Sequence, residues 1–217
     1  MATALNFWKK QLTEIPSSVW ETTTLESLIL ADNQLTSVPE EIGRLAHLRT
    51  LDLGHNRLTN LPASLGQLTS LTNYLYLHDN RIASLEESLF ARLSRLRYLN
   101  VGDNRLTRLP DTIGNLASLE ELRADHNRID VLPESFGRLT RLHELHLRDN
   151  QLHAVPAPLR GLPRLAYIDL RGNPFTDLPE WIAELPQLQK IDLRWVVVDT
   201  SLPLFDRLEA RGCRVLL

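Results

Sequence analysis

Apolar residues recur along most of this chain in one arrangement, and that arrangement predicts its structure. Leu48-Arg-Thr-Leu51-Asp-Leu53-Gly-His-Asn56-Arg-Leu58 returns as Leu142-His-Glu-Leu145-His-Leu147-Arg-Asp-Asn150-Gln-Leu152, so that both read L-x-x-L-x-L-x-x-N-x-L. Within Leu51-Asp-Leu53 apolar and polar positions alternate, which predicts a short strand with leucines turned inward and Asp52 turned to solvent. The asparagine recurs as Asn33, Asn56, Asn80, Asn104, Asn127, Asn150 and Asn173, at intervals of 23 or 24 residues. Seven in register mark a tandem repeat. Each unit supplies one strand, and the ~20 residues left over are enough for the crossover that parallel strands need. Pro39, Pro62, Pro110, Pro133, Pro156 and Pro179 recur in that crossover, with Glu40, Asp111, Glu134 and Glu180 directly after four of them. A proline and then an acid suit the first turn of a short outer helix.

Composition narrows the picture further. Leucine is 46 of 217 residues, an excess expected of a coiled coil, a membrane span or a repeat. The frequent prolines break any long helix, and the longest apolar runs, such as Trp195 to Val198, fall far short of the ~18 residues of a span. Only the repeat is left. No basic segment followed by an apolar core opens the chain, so no secretory signal is expected between Met1 and Gln11.

The second half of each unit reads approximately L-T-x-L-P-x-x-I-G-x-L, as in Leu58-Thr-Asn-Leu61-Pro62-Ala-Ser-Leu65-Gly66-Gln-Leu68. On both half-motifs the chain resembles the leucine-rich repeat family from about Leu5 to Leu193, in its 23-residue intracellular and bacterial class. The resemblance implies an α/β solenoid: a right-handed horseshoe with a parallel concave β-sheet and short helices or 3-10 turns on the convex side. It also implies that the seven asparagines form a buried ladder, each bonding the backbone of adjacent coils, as a buried amide must. It says little about activity, because function lives in the site a fold carries.

The ladder position is occupied by Lys10 in the first coil and Val196 in the last, as expected of terminal repeats that need a cap. We therefore expect one domain over residues 1–217, with an N-terminal coil or cap at 1–24, regular repeats at 25–195 and a C-terminal cap at 196–217. Leu202 to Arg211 followed by Gly212 reads as a capping helix with a glycine stop, and Cys213 to Leu217 as a last strand. Trp8, Trp20, Trp181 and Trp195 all lie in end coils, where they are expected to cover leucine edges. Two adjacent units are one residue longer than the rest. The extra residue ahead of Leu75 is a candidate bulge re-aiming Tyr74 and Tyr76, and the other lies in the outer segment near Phe90.

The exposed positions between the leucines carry whatever distinguishes this chain. They hold a tyrosine cluster at Tyr74, Tyr76 and Tyr98, with Asn100, Arg123 and His146 further along the same face. Arg148, Arg171 and Arg194 form a row toward the C-terminus. Tyrosine and arginine are enriched where interfaces are tightest, and three arginines could hold a carboxylate-rich or phosphorylated segment unless Asp169 and Asp192 neutralise them. His143-Glu-Leu-His146 lacks the helical i, i+4 spacing of a metalloprotease pair, and His55, His78 and Asp79 form no closed ligand set, so no metal is assigned.

No phosphate-binding loop, nucleophile elbow or dinucleotide fingerprint occurs, and no catalytic residue or cofactor is expected. With Lys+Arg 24 against Asp+Glu 27 the formal net charge is -3, which gives no support to a grip on nucleic acid or an anionic membrane. A single cysteine, Cys213, permits no internal disulfide and is expected to pack as an inert thiol. These readings point to a monomeric, non-enzymatic interaction scaffold that binds a protein partner on its concave face. The alternative is the substrate-recruiting module of a larger effector or signalling enzyme, such as a ubiquitin ligase. A cytoplasmic location is expected, with delivery into a host cell as an effector the variant.

Overall fold

The computed structural model describes residues 3–217. Ten three-residue strands lie side by side in chain order, all parallel, in one sheet: β1 (Ala4–Asn6), β2 (Ser27–Ile29), β3 (Thr50–Asp52), β4 (Tyr74–Tyr76), β5 (Tyr98–Asn100), β6 (Glu121–Arg123), β7 (Glu144–His146), β8 (Tyr167–Asp169), β9 (Lys190–Asp192) and β10 (Arg214–Leu216). The middle residue of each strand points inward, as the alternation predicts. Leu28, Leu51, Leu75, Leu99, Leu122 and Leu145 are all fully buried. The flanking residues of the strands lie in register on the other face, where Asp192 alone is buried among those of β2 to β9, so that Tyr74 stands beside Tyr98 and Arg123 beside His146. Among the described residues no helix is long and apolar enough to cross a membrane.

Seven 3-10 turns and two α-helices, α1 (Glu87–Phe90) and α2 (Pro203–Ala210), make the outer side, giving an α/β solenoid. The repeating prolines sit one position earlier than expected. Pro39, Pro62, Pro110, Pro133 and Pro179 are extended residues immediately before the turn, and in all but the Pro62 unit the acid that follows is its first residue. Proline fits there because it needs no N–H donor and its fixed φ suits extended backbone. Glycine in the outer segment has a steric reason: a Cβ on Gly114 would run into the carbonyl oxygen of Ser135 on the next coil.

The ladder closes the inside. Asn104 Nδ2 donates to Leu77 O, Val101 O and Gly102 O at 3.0–3.1 Å, while its Oδ1 accepts the Ile82 N–H at 3.0 Å. The other six asparagines repeat this pattern, each donating to and accepting from the coil before it. Bonds that run backward leave the first coil nothing to serve, and Lys10 stands there without cost.

Just before each asparagine the backbone turns left-handed. Lys9, Asp32, His55, Asp79, Asp103, His126, Asp149, Gly172 and Trp195 all have φ between 49° and 66°. Asp, His and Gly dominate the series because they tolerate this region best. Their identity is thus partly a backbone requirement of the residue just before the ladder position.

The longer units resolve into two local changes. The strand β4 pairs in unbroken register with β3 and β5, so the extra residue is no bulge and lies in the turn ahead of Tyr74. The residue added near Phe90 turns the outer 3-10 segment into α1, where a proline is also lacking. At the C-terminus α2 buries Leu204, Phe205 and Leu208, Gly212 adopts φ 78°, and β10 completes the sheet. Cys213 is buried, and burial pushes its thiol up despite the nearby charge of Arg211. The tryptophans divide: Trp20 is buried and Trp181 packs on the core, whereas Trp8 and Trp195 are 51% and 65% exposed.

Candidate functional site

Parallel register carries the side chains of neighbouring coils ~4.8 Å apart onto one face. On β4 and β5 this brings three tyrosines into contact. Ring centroids are 5.6 Å apart for Tyr74 and Tyr76, 5.5 Å for Tyr74 and Tyr98, and 5.0 Å for Tyr76 and Tyr98. His78 meets Tyr76 at 5.9 Å and His55 at 4.7 Å, which extends the patch to five rings. Gly54 leaves the room that His78 occupies, since a Cβ there would collide with the imidazole. Tyr74 is 45% exposed and borders a hollow of about 370 Å³ with Asn73, Arg97, Tyr98, Glu120 and Glu121.

Burial pushes the Tyr98 hydroxyl up to about 12, burial raises Tyr76, and burial together with His55 holds the His78 imidazole below its ordinary range. Beside it Asp52 is raised by burial, although its Oδ1 accepts the Gly54 N–H at 2.9 Å. The equivalent residue two coils on is Asn100, whose Oδ1 accepts the Gly102 N–H at 3.0 Å. Because the folded state holds the Asp52 proton more tightly than the unfolded chain does, the carboxyl's contribution to stability is present at acid pH and lost as pH rises through its folded value. Asp52→Asn keeps the bond and removes the desolvated charge. We expect it to raise the melting temperature near pH 7 and to leave it unchanged at about pH 3, measured by thermal unfolding at both values.

The arginine row is not free. Arg123 donates to Glu121 at 2.6 Å, Arg148 to Asp149 at 2.9 Å, Arg171 to Asp169 at 2.8 Å and Arg194 to Asp192 at 2.8 Å. Burial alone would raise the Asp192 carboxyl, but the guanidinium and backbone N–H of Arg194 with the charge of Arg171 outweigh it and hold the group low. Trp195 lies against three of these guanidiniums, 4.9 Å from Arg148, 5.7 Å from Arg171 and 6.0 Å from Arg194. The row is a self-neutralised lattice packed on an aromatic ring. Sequence spacing could suggest the Asp169 and Asp192 pairing but not the tryptophan.

Two sets of groups that sequence reading had not joined converge on His146. Glu121, Glu144 and His146, and likewise Asp125, His146 and Asp169, bring ligand-type atoms within 4.8 Å of one another. These residues could hold a metal ion, but Arg123 already binds Glu121 and Arg171 already binds Asp169, so a guanidinium stands where the cation's charge would be needed. His55 and His143 are engaged elsewhere, whereas the buried His78 Nδ1 has no hydrogen-bond partner among the described residues. His55 Nδ1 lies 2.6 Å from Asp79, and His143 Nδ1 lies 3.3 Å from Arg164 O. His126 lies between Asp103 and Asp149, at 2.9 Å from each.

The "Leucine rich repeat" family profile matches residues 23–73, 72–129, 130–175 and 140–195. The chain belongs to the leucine-rich repeat family. Among solved structures it is similar to a leucine-rich repeat protein of Leptospira interrogans, with 25% identity and a TM-score of 0.75 over 98% of this chain and 65% of that one. It spans less than two thirds of that protein. A plant ice-binding protein is similar at 25% identity and a TM-score of 0.71, over 93% of this chain and 68% of that one. No curated protein matches by sequence. Leucine-rich repeats are in general protein-interaction modules, and their fold is typically a non-catalytic binding scaffold.

Proposed function

We propose that the concave sheet binds a protein partner and that Tyr74, Tyr76 and Tyr98 are its anchor. One observation carries this reading: three touching tyrosine rings, one of them exposed, stand on adjacent strands beside a hollow. Tyrosine combines large apolar area with a hydrogen-bonding tip and loses few rotamers on binding. Strands locked in a parallel sheet hold those rings in place beforehand, so association costs little ordering entropy. Asn100, Arg123 and His146 continue the face, whereas Arg148, Arg171 and Arg194 serve as its packed shoulder and contribute shape more than free charge.

The test is quantitative affinity capture from the source cell, comparing the wild-type chain with Tyr74→Ser/Tyr76→Ser. A partner seated on the cluster should weaken by about 30-fold or more, the ~2 kcal/mol expected of a central aromatic anchor. Circular dichroism should report an unchanged fold. If every protein captured by the wild type is retained equally by the variant, the anchor assignment is wrong.

A further inference from the structure

The concave arginines are neutralised, but a second set of arginines is not. The residue directly after the ladder asparagine is Arg57, Arg81, Arg105 and Arg128 on four successive coils. All four are exposed, and none has a carboxylate within 4.0 Å or any side-chain hydrogen bond among the described residues. Their backbone N–H groups are fixed, at 2.8–2.9 Å, on Leu35, Leu58, Ile82 and Leu106 of the coil before. Four guanidiniums thus leave the solenoid at regular intervals from a rigid backbone.

The absence of partners has a cause in the neighbouring column. The acids two residues before Arg81 and Arg105 are engaged by histidines, His55 against Asp79 at 2.6 Å and His126 against Asp103 at 2.9 Å, while Asp130, two residues after Arg128, makes no ion pair among the described residues. The acids of the left-handed column lie against these histidines, and the arginine column beside it makes no ion pair among the described residues. The row is bounded at both ends, because the next coils carry Gln34 and Gln151 at this position.

We propose that this rim is a docking strip for an acidic polypeptide segment of a partner, separate from the concave tyrosine site. Three intervals of ~4.8 Å make a strip of ~14 Å between its outer residues, which an extended segment of about five residues covers at ~3.3 Å each. Guanidinium and carboxylate pair through two parallel hydrogen bonds, and this geometry is available to each of the four arginines. A carboxylate-bearing peptide fits better than a nucleic acid. No aromatic ring interleaves with the four arginines to stack bases, and Asp79, Asp103 and Asp149 lie along the inner side, where they would repel a continuous phosphate backbone. An acidic segment can set neutral residues against those positions.

Fluorescence anisotropy of a labelled peptide alternating Glu and Ser, titrated with the whole chain, tests this. The wild type should bind it, more tightly at about 50 mM than at about 200 mM salt. Arg57→Gln/Arg81→Gln/Arg105→Gln/Arg128→Gln should weaken binding by about tenfold or more, whereas Arg44→Gln/Arg92→Gln/Arg138→Gln/Arg141→Gln, which removes the same charge from exposed outer positions, should change it less than about twofold. The proposal is overturned if the wild type does not bind the peptide, if the two variants lose equally, or if single-stranded oligothymidylate of matched length binds the wild type as tightly. The Tyr74→Ser/Tyr76→Ser variant should bind the peptide as the wild type does, which separates this strip from the concave anchor.

Discussion

Replacing Asn104 with alanine should lower the unfolding free energy by about 4–6 kcal/mol, the sum of one orphaned buried donor at ~1–3 kcal/mol and three lost donated bonds at ~1 kcal/mol each. The residue sits mid-stack, and its amide makes four hydrogen bonds to main chain. Its carbonyl partners are insured, because Leu77 O also accepts from Asn80 and Val101 O also accepts from Asn127. The Ile82 N–H has no substitute acceptor and becomes the orphan. Asn104→Asp should be worse near neutral pH. A carboxylate accepts but cannot donate, so the three donated bonds turn into contacts between lone pairs and a buried charge. Protonation restores one donor, and a buried Asp holds its proton above the unfolded value, so this variant should regain stability as pH falls through its folded pKa while the alanine variant does not. Urea unfolding of both variants at neutral and acid pH is the measurement. Equal stability of Asn104→Ala and the wild type would remove the ladder from the account of what holds the coils together.

The repeat was legible because its restraints are periodic. A strand that buries every second residue must alternate, so strand positions could be read from spacing, and a buried amide that serves the coil behind it must recur once per coil, which fits the ladder that the family resemblance implied. The tyrosine cluster was legible too, since strand register converts positions one repeat apart into neighbours. What escaped depended on side-chain conformation or on backbone sign. Nothing in the order of residues says that Trp195 folds back over Arg148, or that Arg171 reaches both Asp169 and Asp192. The Asp and His column was visible as a column, but its left-handed backbone was not inferred, although a series drawn largely from Asp, His and Gly is the signal for it. Arg57, Arg81, Arg105 and Arg128 lie outside the inward alternation, on the rim beyond the ladder, so strand periodicity gives no sign of them.

A chain ending at Thr200 should be the least stable variant of all. The segment removed places Leu204, Phe205 and Leu208 on the last coil, and fully burying each contributes ~1.5–3 kcal/mol, about 4.5–9 kcal/mol in total. It also removes the Arg211 guanidinium from the carbonyls of Ala183 and Leu185, and the strand whose Leu216 O accepts the Leu193 N–H. Each coil of a solenoid touches only its neighbours, so the loss falls first on β9 and the turn at Glu180–Glu184, and unfolding should spread inward from there. The newly bare edge of β9 offers unpaired backbone groups over exposed Ile191 and Leu193, a template for pairing with another chain. The shortened protein should therefore melt earlier and associate as its concentration rises, by thermal unfolding and static light scattering. Hydrogen exchange should find the first three coils protected as in the wild type. A melting temperature equal to that of the whole chain, with a monomeric mass at high concentration, would mean that the terminal helix does not cap the stack.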